Sequence, residues 1–208
     1  MKVLVLGSAG NMGRRYCSIL KYCGIDHVGI DLGPNYLAGD GITHVLIATP
    51  ISEHYRNIKG LLEKTSGLSI LCEKPICKEI DQILELQKIS KETKTPIYMV
   101  NNWRFILGRW RILQPENNCI SLDYYNTGKD GDWDLIQSIY LSRGMPNIKR
   151  SSPVYDCSVN GTMITQHNFD LSYVAMIRAW LDIPQLMWTL DDAIKATEKT
   201  IKYMESHA

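Results

Sequence analysis

A short apolar run, Lys2-Val3-Leu4-Val5-Leu6, stops at Gly7-Ser8-Ala9-Gly10-Asn11-Met12-Gly13, and a stretch with helical spacing continues to Cys23. This junction limits the fold more than any other feature of the chain. A buried strand that runs straight into three glycines and then a helix must turn tightly. The missing side chains let the backbone approach a pyrophosphate, whose charge rests on the free amides of the helix N-terminus. Glycines also mark ordinary turns, so the loop acquires meaning only from what surrounds it.

The surroundings agree. Hydrophobic patterning predicts strands over His27–Ile30, Thr43–Ala48, Leu68–Cys72 and Pro96–Val100, with helices over Asn11–Cys23, Ser52–Lys64 and Glu79–Lys91. Alternation of this kind predicts an α/β, doubly wound parallel sheet of the Rossmann type. Between Asp31 and Thr43 the segment Leu32–Ile42 holds three glycines and a proline, which argues against a crossover helix and predicts an abbreviated unit. Asp31 ends the second strand near the spacing at which an acidic residue accepts hydrogen bonds from the adenosine ribose hydroxyls. A carboxylate there repels a ribose phosphate, so NAD is favoured over NADP. The plainer alternative is that Asp31 opens the turn Asp31-Leu32-Gly33.

Beyond Arg104 the pattern changes. Ile120–Tyr125 and Val154–Ile164 read as strands, Trp133–Ser142 as a short helix, and Asp170–Leu181 and Asp191–Glu205 as helices. The expected organisation is a dinucleotide-binding Rossmann domain over 1–105 and a small α+β lobe over 106–208. With two or three strand-like runs the lobe's sheet is incomplete. Its edges need covering or a second copy, which predicts homo-oligomerisation.

Composition narrows the partners. The 23 basic and 22 acidic side chains nearly cancel, leaving no field to hold nucleic acid or an anionic membrane, while a hydrophobic fraction of 45% suffices for a core. No stretch approaches about 18 uninterrupted apolar residues, and the N-terminal run is too short for a secretion signal, so a cytoplasmic chain is expected. The six cysteines show neither a C-x-x-C pair nor zinc spacing and read as reduced structural thiols. Asp130-Gly131-Asp132-Trp133-Asp134 lacks the glycine and bidentate glutamate of a calcium loop and reads as an acidic turn before a helix; no metal site is expected. Tyr124, Tyr125 and Trp133, with Asp134 and Gln137, suit either a sugar ring or core packing, the latter favoured. Asn160-Gly161-Thr162 matches a glycosylation sequon, which carries no meaning without export.

Three further segments specify a family. Ala48-Thr49-Pro50 with His54, Glu73-Lys74-Pro75 and Asn102-Trp103-Arg104-Phe105 each follow a predicted strand. With the glycine loop they resemble the Gfo/Idh/MocA family of NAD(P)-dependent oxidoreductases, over about the first 105 residues. The resemblance implies hydride transfer between a nicotinamide and a sugar, nucleotide-sugar or polyol substrate. It implies cofactor contacts from Gly7, Ser8, Gly10, Asn11, Met12, Asp31, Thr49, Pro50, His54, Glu73, Lys74, Asn102 and Arg104, with Lys74 also the catalytic lysine.

The family's second lobe usually carries an aspartate and, four residues later, a proton-transferring histidine. Gly161–Asp170 keeps only half of that pair: His167 in the histidine's place puts Met163 where the aspartate belongs, and the other register puts Thr165 and Phe169 at the two positions. His167 is thus the second catalytic candidate, with Asp170 a possible orienting partner and a helix-start role as the alternative. The competing reading of the whole is a non-catalytic or regulatory NAD-binding protein with a degenerate substrate domain.

Overall fold

A computed structural model describes residues 1–31, 41–108, 111–123, 131–149 and 156–206. The chain forms two compact units, Met1–Val100 with Ile183–Ile194, and Asn101–Asp182 with Lys195–Ala208.

The first unit is a parallel five-stranded sheet with helices. Strands β1 (Lys2–Leu6), β2 (Asp26–Ile30), β3 (Ile42–Ile47), β4 (Ser69–Cys72) and β5 (Ile97–Met99) lie in the order β2-β1-β3-β4-β5. Helices α1 (Asn11–Tyr22), α2 (Ile51–Lys64) and α3 (Ile80–Thr93) connect them. Successive residues of a strand point to opposite faces, and Val3, Leu4 and Val5 are all fully buried, as are Val45, Leu46 and Ile47. The central strands are therefore covered on both faces, which is why they read as unbroken apolar runs. The Rossmann-type α/β fold expected from the sequence is the fold observed. The connection 32–40, with its expected abbreviated crossover, lies outside the described residues; its flanking strands β2 and β3 sit on opposite sides of β1.

The return of Ile183–Ile194 to this first unit differs from the expected division at residue 105. Trp188 is buried and its backbone carbonyl accepts the Met99 amide at 2.8 Å, while Gln87 Nε2 donates to Asp191 Oδ1 at 2.7 Å. These contacts bind a distant segment to β5 and α3. They are long-range and leave no trace in local pattern.

The second unit holds a mixed four-stranded sheet in the order β7-β6-β8-β9, from β6 (Ile120–Asp123), β7 (Asn147–Lys149), β8 (Asp156–Val159) and β9 (Thr162–Ile164). Around it stand α4 (Ile136–Leu141), α5 (Gln166–Asp182) and the later turns of α6 (Leu190–Ser206). Two expectations need correction here. Within the expected strand Val154–Ile164, the described residues Asp156–Ile164 form an antiparallel hairpin and not one strand: Val159 pairs with Thr162 across Asn160-Gly161, whose φ values are 51° and 77°. Helix α5 starts at Gln166 and not at Asp170, because Thr165 and Asn168 cap it: the Thr165 amide and hydroxyl each donate to Asn168 Oδ1 at 2.8 Å. Tyr124, Tyr125 and Asp130 lie outside the described residues. The remainder of that acidic stretch forms a 3-10 turn, Gly131–Leu135, leading into α4.

Candidate functional site

The glycine loop is stitched between strand ends. Gly7 donates its amide to the Ile30 carbonyl at 2.8 Å, and Ala48 donates to the Leu6 carbonyl at 2.9 Å. Gly7 has φ +80°, and a Cβ there would lie 2.7 Å from the Ala48 carbonyl oxygen. A Cβ on Gly13 would lie 2.0 Å from the Gly7 carbonyl oxygen, so only glycine lets α1 pack this closely on the loop. Gly10 caps α1 without a side-chain hydrogen bond, and the first turn carries no acidic residue. Such a terminus is electrostatically suited to an anion.

Asp31 reaches across from the end of β2, its Oδ1 accepting the Ala9 amide at 2.6 Å. Arg14 hydrogen-bonds the Ala9 carbonyl and, at 2.7 Å, Asn11 Oδ1, bracing the loop from the helix side. Below them Cys17 is half-buried, and burial together with the Asp31 charge pushes its thiol pKa up. It stays a neutral thiol at neutral pH and is no nucleophile.

A cleft of about 890 Å³ opens over these strand ends. It brings together Gly7, Gly10, Asp31, Thr49 and Pro50 of the expected cofactor residues, and adds the α2 flank from Glu53 and Arg56 through Asn57 to Lys64. Asn57 Nδ2 donates to Thr49 Oγ1 at 3.0 Å, fixing that hydroxyl in the wall. A glycine cradle too tight for any Cβ, a helix terminus without an acid and a carboxylate held at the neighbouring strand end are the parts a dinucleotide requires. The residues fit NAD. Ser8 packs against Gly29, where a Cβ would come within 2.6 Å of Ser8 Cβ; Met12 is half-buried in the first turn of α1.

One strand further along, the turn after β4 carries Glu73-Lys74-Pro75, outside the lining of this cleft. Glu73 is buried and both carboxylate oxygens are engaged: Oε1 accepts the Tyr16 hydroxyl at 2.5 Å and Oε2 the Lys74 amide at 3.0 Å. Buried His54 places Nδ1 2.9 Å from the Pro75 carbonyl and Nε2 2.8 Å from the Thr49 carbonyl. A carbonyl only accepts, so the neutral ring bonds one of the two at a time and the doubly protonated ring bonds both. Cys72 and Cys77 flank the turn. Burial raises both thiols, Cys77 to about 12 and Cys72 well above its ordinary value, so both are neutral thiols at neutral pH. Tyr16 escaped the sequence reading. Its signal was a tyrosine on the buried face of α1, whose hydroxyl must find a partner.

The remaining candidates lie in the second unit. Asn102 is buried, donating Nδ2 to Ser172 Oγ at 3.1 Å and accepting Gln137 Nε2 at 3.0 Å on its Oδ1. Gln137 Oε1 also accepts the Trp103 amide at 3.0 Å, and Trp103 meets Phe169 edge to face with ring centroids 5.5 Å apart. Gln137 therefore supports the turn that carries Arg104. Arg104 Nη2 donates to Gln114 Oε1 at 3.4 Å. His167 is exposed in the first turn of α5, and Asp170 accepts Gln166 Nε2 at 3.0 Å. Among the described residues no hydrogen bond joins His167 to Asp170, so the orienting partnership proposed from spacing is not made.

Fold and site together define an NAD-binding Rossmann protein with a second unit built on a mixed sheet. Residues 33–102 match the oxidoreductase family with an NAD-binding Rossmann fold known as GFO_IDH_MocA, and the resemblance seen in the motifs is thereby upheld. No curated protein matches the chain. Among solved structures it is similar to the WlbA (WbpB) dehydrogenase from Thermus thermophilus, solved with NAD and UDP-GlcNAcA, at 16% identity and a TM-score of 0.69 over 96% of this chain and 93% of that one. A myo-inositol dehydrogenase from Corynebacterium glutamicum superposes with a TM-score of 0.71 at 15% identity, over 99% and 96% of the two chains. A probable dehydrogenase from Thermotoga maritima gives 0.74 at 10% identity, over 100% and 98%. At these identities the likeness is one of fold.

Among the described residues no helix is long and apolar enough to cross a membrane.

Proposed function

We propose that this chain is an NAD-dependent oxidoreductase acting on a CH–OH group of a sugar, nucleotide-sugar or polyol. The observation that carries the reading is the cleft that joins the Gly7–Gly13 loop, the Asp31 carboxylate and the Thr49–Pro50 turn in one continuous wall. Solved relatives of this fold were crystallised with NAD and with a nucleotide sugar, which supports the substrate class.

NAD supplies the hydride acceptor or donor when bound. The chain supplies the rest. The loop amides and the α1 terminus hold the pyrophosphate, and Asp31 takes the ribose hydroxyls and disfavours a ribose phosphate. Lys74 Nζ, as an ammonium beside the substrate hydroxyl, lowers the pKa of that hydroxyl and steadies the developing alkoxide. His167 is assigned the proton transfer, imidazole being the side chain most often used as a general acid or base.

That His167 is exposed and, among the described residues, not bonded to Asp170 favours one second reading, an NAD-binding protein without turnover. Purified protein incubated with NAD and a panel of sugars, nucleotide sugars and polyols decides between them through nicotinamide absorbance. Turnover abolished by Lys74→Ala with NAD affinity retained is the expected result. Binding of NAD without turnover on any panel member supports the second reading, and full turnover in Lys74→Ala refutes the lysine's role.

A further inference from the structure

The backbone around Lys74 is held from two sides by side chains of α1 and α2 that are not themselves among the residues lining the cleft. On its N-terminal side the Lys74 amide rests on Glu73 Oε2 at 3.0 Å, and the other oxygen of that carboxylate takes the Tyr16 hydroxyl at 2.5 Å. On its C-terminal side the Pro75 carbonyl faces His54 Nδ1 at 2.9 Å, and the same ring reaches the Thr49 carbonyl at 2.8 Å through Nε2. Tyr16 and His54 are 0% and 1% exposed.

Buried polar groups need partners in any fold, so burial alone would not distinguish these two. Their placement does. Tyr16 stands on α1, the helix that begins at the glycine loop. His54 stands in the first turn of α2, the helix that begins at Thr49–Pro50. One contact therefore runs from the helix that continues out of the cleft-lining loop at Gly7 and Gly10, the other from a helix whose own residues line the cleft, and each ends on a residue adjacent to Lys74. A shift of either helix would be passed to the lysine backbone. We infer that Tyr16 and His54 are positioning residues that set Lys74 relative to the cofactor cleft, coupling its placement to occupancy of that cleft.

The inference rests on the role given to Lys74 above, and its test separates the two. Acetic anhydride labels lysine amines, and mass spectrometry reads the rate at Lys74 against exposed Lys91 with and without saturating NAD. In the unsubstituted protein NAD slows Lys74 labelling about fivefold or more, a shielding expected of a group aligned with a bound ligand. In Tyr16→Phe the NAD Kd stays within about threefold while the shielding falls below about twofold, because the amine is no longer held in register. In His54→Asn, at a residue the family resemblance also counts among the cofactor contacts, the shielding read at saturating NAD falls in the same way whatever the Kd. Where the substrate panel finds turnover, kcat falls about tenfold or more in both variants, at a nearly constant KM for NAD in Tyr16→Phe. Circular dichroism confirms that each variant is folded, and two independent substitutions guard against the loss of one.

A purely structural role predicts lower melting temperatures with full NAD shielding of Lys74, and that outcome overturns the inference. Absence of NAD binding in the unsubstituted protein overturns the functional reading itself. NAD binding that leaves Lys74 labelling unchanged there removes the lysine from the site, and the positioning role falls with it.

Discussion

A methyl group on Gly13 would meet the Gly7 carbonyl oxygen at 2.0 Å and Ser8 Cα at 2.7 Å, both backbone atoms that cannot swing aside. Gly13→Ala must therefore displace α1 from the loop. The expected loss is about 3 kcal/mol in urea unfolding, with NAD affinity weakened more than about tenfold because on the proposed function the same loop's amides hold the pyrophosphate. Gly24, at φ +69° with nothing within 4 Å of its added Cβ, is the matched control. Gly24→Ala costs about 1 kcal/mol of backbone strain and leaves NAD affinity untouched. At Asp31 the charge is at stake. On the proposed function, Asp31→Ser replaces the charged ribose acceptor by a neutral hydroxyl and removes the repulsion of a ribose phosphate, so the ratio of NAD to NADP affinity falls by about 10- to 100-fold in a binding titration, the worth of one charged hydrogen bond. Gly13 and Asp31 are legible in sequence because glycine and an acid at fixed offsets after strands have direct physical causes. Tyr16 is not, since its meaning depends on Glu73, which lies 57 residues away in the chain.

Elements were legible in proportion to their burial and length. Strands β1, β3 and β4, apolar on both faces, were found to within a residue or so. Strand β7 was missed: it has three residues, two of them exposed, and offers no pattern to read. The β8–β9 hairpin carried a strong signal that was read as a sequon instead, since Asn-Gly is the dipeptide that accepts positive φ at both central positions of a type I′ turn. On the surface between α2 and α3, Glu85 accepts Lys59 Nζ at 2.8 Å and the Tyr55 hydroxyl at 2.5 Å. Hydrogen bonds from Lys59 and then from Tyr55 hold the Glu85 carboxyl below its ordinary 4.5, and the bond to Glu85 first of all raises Lys59 above 10.5. A lowered carboxyl contributes stability above its unfolded pKa that is lost as pH falls through the folded one. A raised ammonium contributes below its unfolded pKa and loses that as pH rises through the folded one. The link is therefore intact between about pH 5 and 10. Thermal melts of Glu85→Gln should show a small deficit across that window which vanishes near about pH 2 and shrinks in molar salt, as an exposed network is screened.

Across the whole molecule, the feature with no local signature is the return of Ile183–Ile194 to the first unit. Patterning assigned everything after residue 105 to one lobe, because a single strand residue followed by a helix start looks the same wherever it docks. The structure shows what secures it. Trp188 is buried and bridges to Met99, Asp191 accepts Gln87, and the Thr189 amide donates to Asp192 Oδ2 at 3.0 Å, capping α6. The edge of the sheet at β5 is thus covered by residues that arrive nearly ninety positions later. Trp188→Ala removes one of the largest fully buried side chains, and its cost of about 3–5 kcal/mol falls on the unit that holds the glycine loop. Thermal unfolding followed by NAD binding should shift to lower temperature in this variant. Asp191→Asn, which keeps an acceptor for Gln87 at the surface, should leave it within a degree or two, the scale of a change under about 0.5 kcal/mol. If Trp188→Ala melts like the unsubstituted protein, the segment is ornamental to the Rossmann unit and its contacts with β5 carry no stability.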